Sequence, residues 1–364
     1  MFPIYFKKMR IILLSVIIFT ITQVSYGLQV DGLYKYRVAV ANESDAERDR
    51  AFEEAFRAVI LKVTGAIRWL DHPGIDEAIE SAQSYVESIS YDSGAPGQND
   101  NFLSSADQRY IEVSFADSLV QELLAELDVP VWNSNRPSVL VWMVLQNNLG
   151  QREVLTPETN PQIITYIQSF AEDRGIPIIF PVLDFQDRQN LSENDIWGFD
   201  ERKIIDASAR YGADSILSGR LHFTAGGDLV GLWQFIFQGE ANIFDGFDEN
   251  LEAYLHTPLD RVTNQLANYF GIIPEAGAQQ TVRLTVEGIQ DFNTYSLLIN
   301  YLTSLGLVNN VSPVLLDGER LELELVLVGD SAQLFEIIAL DRDLLPIESS
   351  QAGGRGVLHY RWTR

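Results

Sequence analysis

Phe52, Ala55, Phe56, Val59, Ile60 and Val63 recur three and four residues apart. That spacing predicts a helix with one continuous apolar stripe. Ser44-Asp45-Ala46-Glu47 just before it reads as a capping box, and Gly65 as its C-terminal stop. Leu33 to Ala41 alternates as a strand would, and so does Tyr110 to Phe115. Pro73 opens a second helix with Ile75, Ile79, Ala82 and Val86 on one face, and Ala116 to Leu127 reads as a third helix. Ser93 to Asn101 reads as a loop, and Val129 to Pro137, with two prolines and two asparagines, as a linker.

The pattern then changes. Val139 to Leu145 is a near-continuous apolar run, the mark of a buried central strand, and Ile176 to Leu183 is the next apolar run. Between them Asn160-Pro161 starts a helix whose inner face is Ile164, Ile167 and Phe170 or Ala171. Asp200 caps another, running to about Tyr211 and stopped by Gly212. Ser215 to Phe223, Leu229 to Gln238 and Glu240 to Phe244 read as successive antiparallel strands, the first turn being Ala225-Gly226-Gly227-Asp228. Thr257-Pro258 reads as the start of the last helix of this stretch, with proline at its favoured first position. The order predicts one mixed sheet flanked by helices, with Trp142 and Trp233 in its core.

From Thr281 the order is strand, helix (Phe292 to Leu305), two strands (Leu307 to Ser312, Arg320 to Val328) around Asp317-Gly318, and helix (Ser331 to Leu340). Leu321, Leu323 and Leu325 alternate with Glu322 and Glu324, so the second hairpin strand is half-buried with a charged outer face. A glycine-rich hinge (Gly353, Gly354, Gly356) precedes Val357 to Trp362, read as a late edge strand that folds back on its own unit or adds to a partner sheet. The fold class expected is thus α+β / α/β, three small modules in series. They are an N-terminal α+β unit at 28–133, a central mixed α/β unit at 136–273, and a ferredoxin-like β-α-β-β-α unit with tail at 274–364.

The first 27 residues stand apart. Lys7, Lys8 and Arg10 precede an apolar stretch from Ile11 to Ile21, and Ser25-Tyr26-Gly27 follows. This is the layout of a secretory signal cleaved near Gly27, and its apolar run is short of the roughly 20 residues that span a bilayer. The expectation is a periplasmic protein. The chain has no cysteine, which excludes disulfides, thiolate chemistry and a cysteine-borne lipid at the cut site. The alternative for the segment is an uncleaved anchor. Charge sharpens the picture. The whole chain carries −25, and loss of three basic residues with the signal leaves 23 Lys and Arg against 51 Asp and Glu, or −28. Such a surface repels nucleic acid and anionic lipid head groups.

Candidate chemistry is sparse. His72, His222, His256 and His359 are widely separated and in no paired metal-ligand spacing. No nucleophile elbow, phosphate loop or dinucleotide fingerprint occurs, so no catalytic residue, cofactor or metal is assigned. The acidic connection after the Ile176 run holds Asp184, Asp187, Asp195 and Asp200, with Trp197 and Phe199 as aromatic anchors among acids. Those six are the candidate binding residues. Three functions remain open on them. The first is a non-catalytic binding or assembly module for an unidentified envelope protein. The second is a carboxylate-dependent hydrolase of envelope glycan, which needs paired carboxylates. The third is a divalent-cation binder.

Several segments together resemble a known family. They are Tyr34-Lys35-Tyr36-Arg37-Val38, Arg50-Ala51-Phe52-Glu53-Glu54-Ala55-Phe56 leading to Val63-Thr64-Gly65, Arg136-Pro137-Ser138-Val139-Leu140-Val141-Trp142, and Tyr211-Gly212-Ala213-Asp214-Ser215-Ile216-Leu217-Ser218-Gly219. The set resembles the uncharacterised secreted proteobacterial DUF2066 family. The resemblance implies a periplasmic protein of Gram-negative bacteria and no assigned activity. The passage through Gly212-Ala213-Asp214 also looks like envelope assembly proteins with an anticodon-binding-like α/β domain, such as flagellar and curli accessory factors.

Overall fold

A computed structural model describes residues 30–92, 109–147, 149–224, 229–248, 250–273, 279–328, 331–340, 343–347 and 357–363. The predicted signal at 1–27, the 93–101 loop, the 225–228 turn and the glycine hinge at 353–356 lie outside them. The fold is mixed α+β with three separate sheets, helices interspersed.

The first sheet is antiparallel, in the order β1 (Lys35–Val40), β3 (Arg109–Phe115), β2 (Val86–Asp92). Helix α1 (Asp45–Thr64) lays its predicted stripe on it, with all six stripe residues buried. The Ser44 side chain caps α1 by accepting from the Glu47 amide. Glu47 reaches back to the Ala41 amide at 2.9 Å instead of to Ser44, so the capping box is half formed. Gly65 ends α1 at φ 69. A side chain there would sit 2.4 Å from the Trp132 ring, so both the turn and the contact require glycine. Helices α2 (Pro73–Glu80) and α3 (Asp117–Glu126) complete this stretch. Val86 is not on the face of α2 but begins β2, an edge strand whose side chains are mostly exposed and so leave no alternation to read.

The central sheet runs β5 (Arg152–Val154), β4 (Val139–Gln146), β7 (Ser215–Phe223), β8 (Leu229–Phe237), β9 (Glu240–Asp248), with β6 (Ile178–Ile179) also beside β4. β4 is parallel to β7 and to β6, and the remaining pairs are antiparallel. One face is covered by α4 (Pro161–Arg174) and α8 (Leu251–Phe270). Between α4 and α8 lie α5 (Phe185–Asn190), α6 (Glu193–Trp197) and α7 (Glu201–Ser208), the last two against the other face. Burial on both sides accounts for the unbroken apolar run of β4. Trp142 and Trp233 are fully buried. The Trp233 indole donates to the Tyr254 hydroxyl at 3.0 Å, and a side chain at Gly231 would strike that hydroxyl.

The helix expected at Thr257 begins six residues earlier at Leu251, where the Asn250 side chain accepts from the Glu252 amide, and Pro258 lies buried inside it. The Ile176 to Leu183 run forms only the two-residue β6, because its remainder turns out toward α5.

The third sheet is ordered β11 (Val308–Asp317), β12 (Arg320–Val328), β10 (Gln279–Glu287), β14 (Val357–Trp362), β13 (Leu344–Pro346). The predicted succession is present as β10, α9 (Phe292–Ser304), β11, β12, α10 (Ser331–Leu340). Leu321, Leu323, Leu325 and Leu327 all point into the core. The tail is not an edge. β14 inserts between β10, to which it is parallel, and β13, to which it is antiparallel. It buries Leu358, Tyr360 and Trp362, which an edge strand would leave half exposed.

The supposed linker is a packed junction as well. Val129, Val131, Trp132 and Arg136 are buried. Val131 exchanges two backbone hydrogen bonds with Ile272, and the Trp132 amide donates to the Val63 carbonyl. Asn135 reaches the Ile337 carbonyl on α10 at 3.1 Å.

Candidate functional site

The acidic connection becomes the pair α5 and α6, leading into α7. Two non-glycine residues in the left-handed region bracket the pair, Leu183 at φ 52 and Phe199 at φ 52. The six candidate residues separate into three groups.

Asp184 and Asp187 form the first group. Asp184 caps α5 by accepting from the Asp187 amide at 3.0 Å. Arg210 grips it with both terminal nitrogens, at 2.8 and 2.9 Å. Those bonds hold the Asp184 carboxyl far below the usual carboxylate range. Asp187 is 1% exposed. It accepts from Arg210 at 3.0 Å and from the Tyr211 hydroxyl. That hydroxyl in turn accepts from the Val182 amide at 2.9 Å. Burial, then the bond to Asp187, pushes the Tyr211 phenol up to about 12. The cluster therefore fastens the start of α5 to the turn before β7.

Asp195 and Asp200 form the second group, around Lys203. Ser192 and Asp195 make a reciprocal capping box at the start of α6. The Lys203 ammonium lies 2.6 Å from Asp195 and 3.9 Å from Asp200, which itself caps α7 through the Lys203 amide. The bond from Lys203, with those from Ser192, lowers Asp195 to about 2.

Trp197 and Phe199 form the third group, and both meet Arg220 of β7. The Arg220 guanidinium carbon lies 5.7 Å from the Trp197 ring and 5.2 Å from the Phe199 ring, and its Nη1 donates to the Trp197 carbonyl at 2.8 Å. Arg152 of β5 stacks on the same indole at 4.3 Å. It is steadied by Gln146 at 3.2 Å and by Asn194 at 2.7 Å. His222 approaches at 6.2 Å between ring centres. The pairing of β5, β4 and β7 places Arg152, Gln146 and His222 in one row across the sheet. That row lies at the C-terminal ends of the two parallel strands, where open α/β sheets carry ligand sites. A cleft of about 550 Å³ adjoins it, lined by Glu153, Val154, Val182, Leu183, Arg188 and Ser192 among others.

Arg152, Arg220 and His222 were not among the sequence candidates. Arg220 and His222 share a strand face with Ser218, which breaks the apolar run on the α6–α7 side of β7. That break was the available signal. Among the described residues no group of three or more His, Asp or Glu is arranged to hold a metal ion. No described helix is long and apolar enough to cross a membrane.

Residues 28–133 match a family described as Domain of unknown function (DUF8605). That span holds the first sheet and excludes the α5–α7 site. No curated protein matches the chain. Among solved structures the chain is similar to the LpoB C-terminal domain from Salmonella enterica, at 18% identity and TM-score 0.24, covering 31% of this chain and 83% of that one. It is also similar to the lipoprotein GNA1162 from Neisseria meningitidis, at 12% identity and TM-score 0.23, covering 36% of this chain and 97% of that one. Both likenesses are distant.

Proposed function

We propose that this protein is a non-catalytic binding or assembly module of the cell envelope that recognises a protein partner at the Trp197–Phe199 turn. The observation that carries this reading is the division of labour within the acidic connection. Asp184, Asp187 and Asp195 are engaged as helix caps and ion-pair partners, while Trp197 and Phe199 remain half exposed beside two arginines that have no carboxylate partner among the described residues. A carboxyl held low by a guanidinium or an ammonium suits a structural acceptor and not a general acid, whose task needs a raised pKa. The periplasmic location belongs to the same proposal and draws on the signal-like start and the motifs that resemble the secreted proteobacterial family.

The test is a photo-cross-linking amino acid placed at position 199 and, as a control, at the exposed position 53 on α1. Irradiation of intact cells is expected to give one discrete adduct from 199 and none of that mass from 53. No adduct at 199, or the same adducts at both positions, overturns the reading.

A further inference from the structure

Resting on that reading, we infer that Arg220 is a subsite for a single carboxylate borne on an apolar peptide segment. Two rings frame the guanidinium, and Nη1 is committed to the Trp197 carbonyl. Nε and Nη2 have no protein partner among the described residues, and neither is sealed from solvent. The edge left open is thus the Nε–Nη2 fork, the geometry that grips a carboxylate through two parallel hydrogen bonds.

Phe199 adds a second, independent observation. It takes the left-handed backbone region at φ 52 although Gly198 stands beside it in an ordinary helical conformation. A chain shaped only for a comfortable turn would put glycine at 199. The strained residue is instead the aromatic one, and the strain lays its ring against Arg220. A ring beside a charge-binding fork supplies an apolar wall for whatever side chain accompanies the carboxylate.

The surroundings choose between anions. Glu193 and Asp195 sit on the helix that carries Trp197, Glu153 follows Arg152, and the chain as a whole is strongly acidic. Each added negative charge on a ligand meets that field, so a carboxylate is admitted where a phosphate dianion is repelled.

The probes are N-acetyl-phenylalanine, its C-terminal amide and inorganic phosphate. Each is titrated into the purified protein at pH 7.5 while the Trp197 indole and Arg220 Nε–H resonances are followed by NMR. The acid is expected to give saturable shifts at both positions, with the amide and phosphate at least tenfold weaker. Arg220→Gln should weaken the acid at least tenfold, and Arg220→Lys, which keeps charge but loses the fork, should recover only part. Trp197→Ala, which leaves the fork in place, should weaken it about threefold or more. Absence of a saturable shift, equal response to amide or phosphate, or wild-type binding by a folded Arg220→Gln overturns the subsite. If the acid binds but position 199 gives no adduct in cells, it is the partner-binding reading that fails. If the adduct forms but the acid does not bind, the subsite alone fails.

Discussion

Phe199 and Asp195 lie four residues apart and carry opposite loads. The left-handed backbone at Phe199 costs roughly 1–2 kcal/mol for a residue with a side chain, and asparagine tolerates that region better. Phe199→Asn should therefore relieve strain while giving up a half-exposed ring. Its net effect on chemical-denaturation stability should stay within about 1 kcal/mol of wild type, while capture of the partner at this turn falls. A loss of several kcal/mol would make Phe199 a structural residue. Asp195 behaves in the opposite manner. Its folded pKa, about 2, lies below the ordinary value near 4, so the carboxylate form is favoured by folding. That contribution is fully present above about pH 4 and is lost as pH falls toward 2. Asp195→Asn should cost no more than about 1 kcal/mol at pH 7, since solvent screens the Lys203 pair. Its stability should converge on wild type near pH 2, and urea midpoints taken across that range check the convergence.

Elements with a period were legible, and elements held by partners were not. The α1 stripe and the leucine alternation of β12 read directly because one face of each meets a core and the other does not. The start of α8 was hidden because a proline at position 258 imitates a first-turn residue. Pro258 is instead buried on the inner face of a helix already capped by Asn250. The two-residue β6 and the largely exposed β2 carry too little alternation to read. At the site, Trp197 and Phe199 stand out as aromatics among acids, but Arg152 and Arg220 arrive from two other strands. Their convergence depends on β4 and β7 being parallel neighbours, which no local pattern encodes. The tail is the sharpest instance. Val357 to Trp362 has the look of an appendage, yet it supplies an interior strand between β10 and β13. Deleting residues 357–364 removes three buried side chains and both of their ladders, so β13 loses the one strand paired with it among the described residues. Limited proteolysis should then cut within 279–347 while the fragment bearing the central sheet survives. Protection equal to wild type would mean that the tail is dispensable.

Three sheets in successive stretches of chain become one molecule through the segment that reads as a linker, and Arg136 is its centre. The side chain is 2% exposed, and burial lowers its pKa to about 9, so it remains charged at neutral pH. It has no carboxylate partner among the described residues. Its five N–H bonds go to five backbone carbonyls instead, those of Asn133, Trp132, Lys62, Arg174 and Gly175, at 2.6 to 2.9 Å. Lys62 belongs to α1, and Arg174 and Gly175 to the end of α4, so one guanidinium holds the first sheet's helix to the central unit. Its neighbour Arg174 repeats the device, donating to the Gly65 carbonyl and to Asp260 and Asn264 on α8. Val63-Thr64-Gly65 and the start of the Arg136–Trp142 motif both lie at this junction, where they join the units. Arg136→Ala strips five carbonyls of a donor, three of them in buried bonds and two in part-buried ones, and since one buried unsatisfied group costs about 1–3 kcal/mol, a loss of at least about 3–5 kcal/mol follows. Arg136→Lys supplies three donors from a single point and cannot reach the same five carbonyls, so it should recover less than half of that loss. Because the broken bonds join units, the loss should also divide the transition. Urea unfolding followed by far-UV circular dichroism and by tryptophan fluorescence should coincide for wild type and separate for Arg136→Ala. Superimposed transitions at the wild-type midpoint would mean that the units are held without Arg136, by the Arg174–Gly65, Trp132–Val63 and Val131–Ile272 hydrogen bonds and the packing of Trp132 at Gly65.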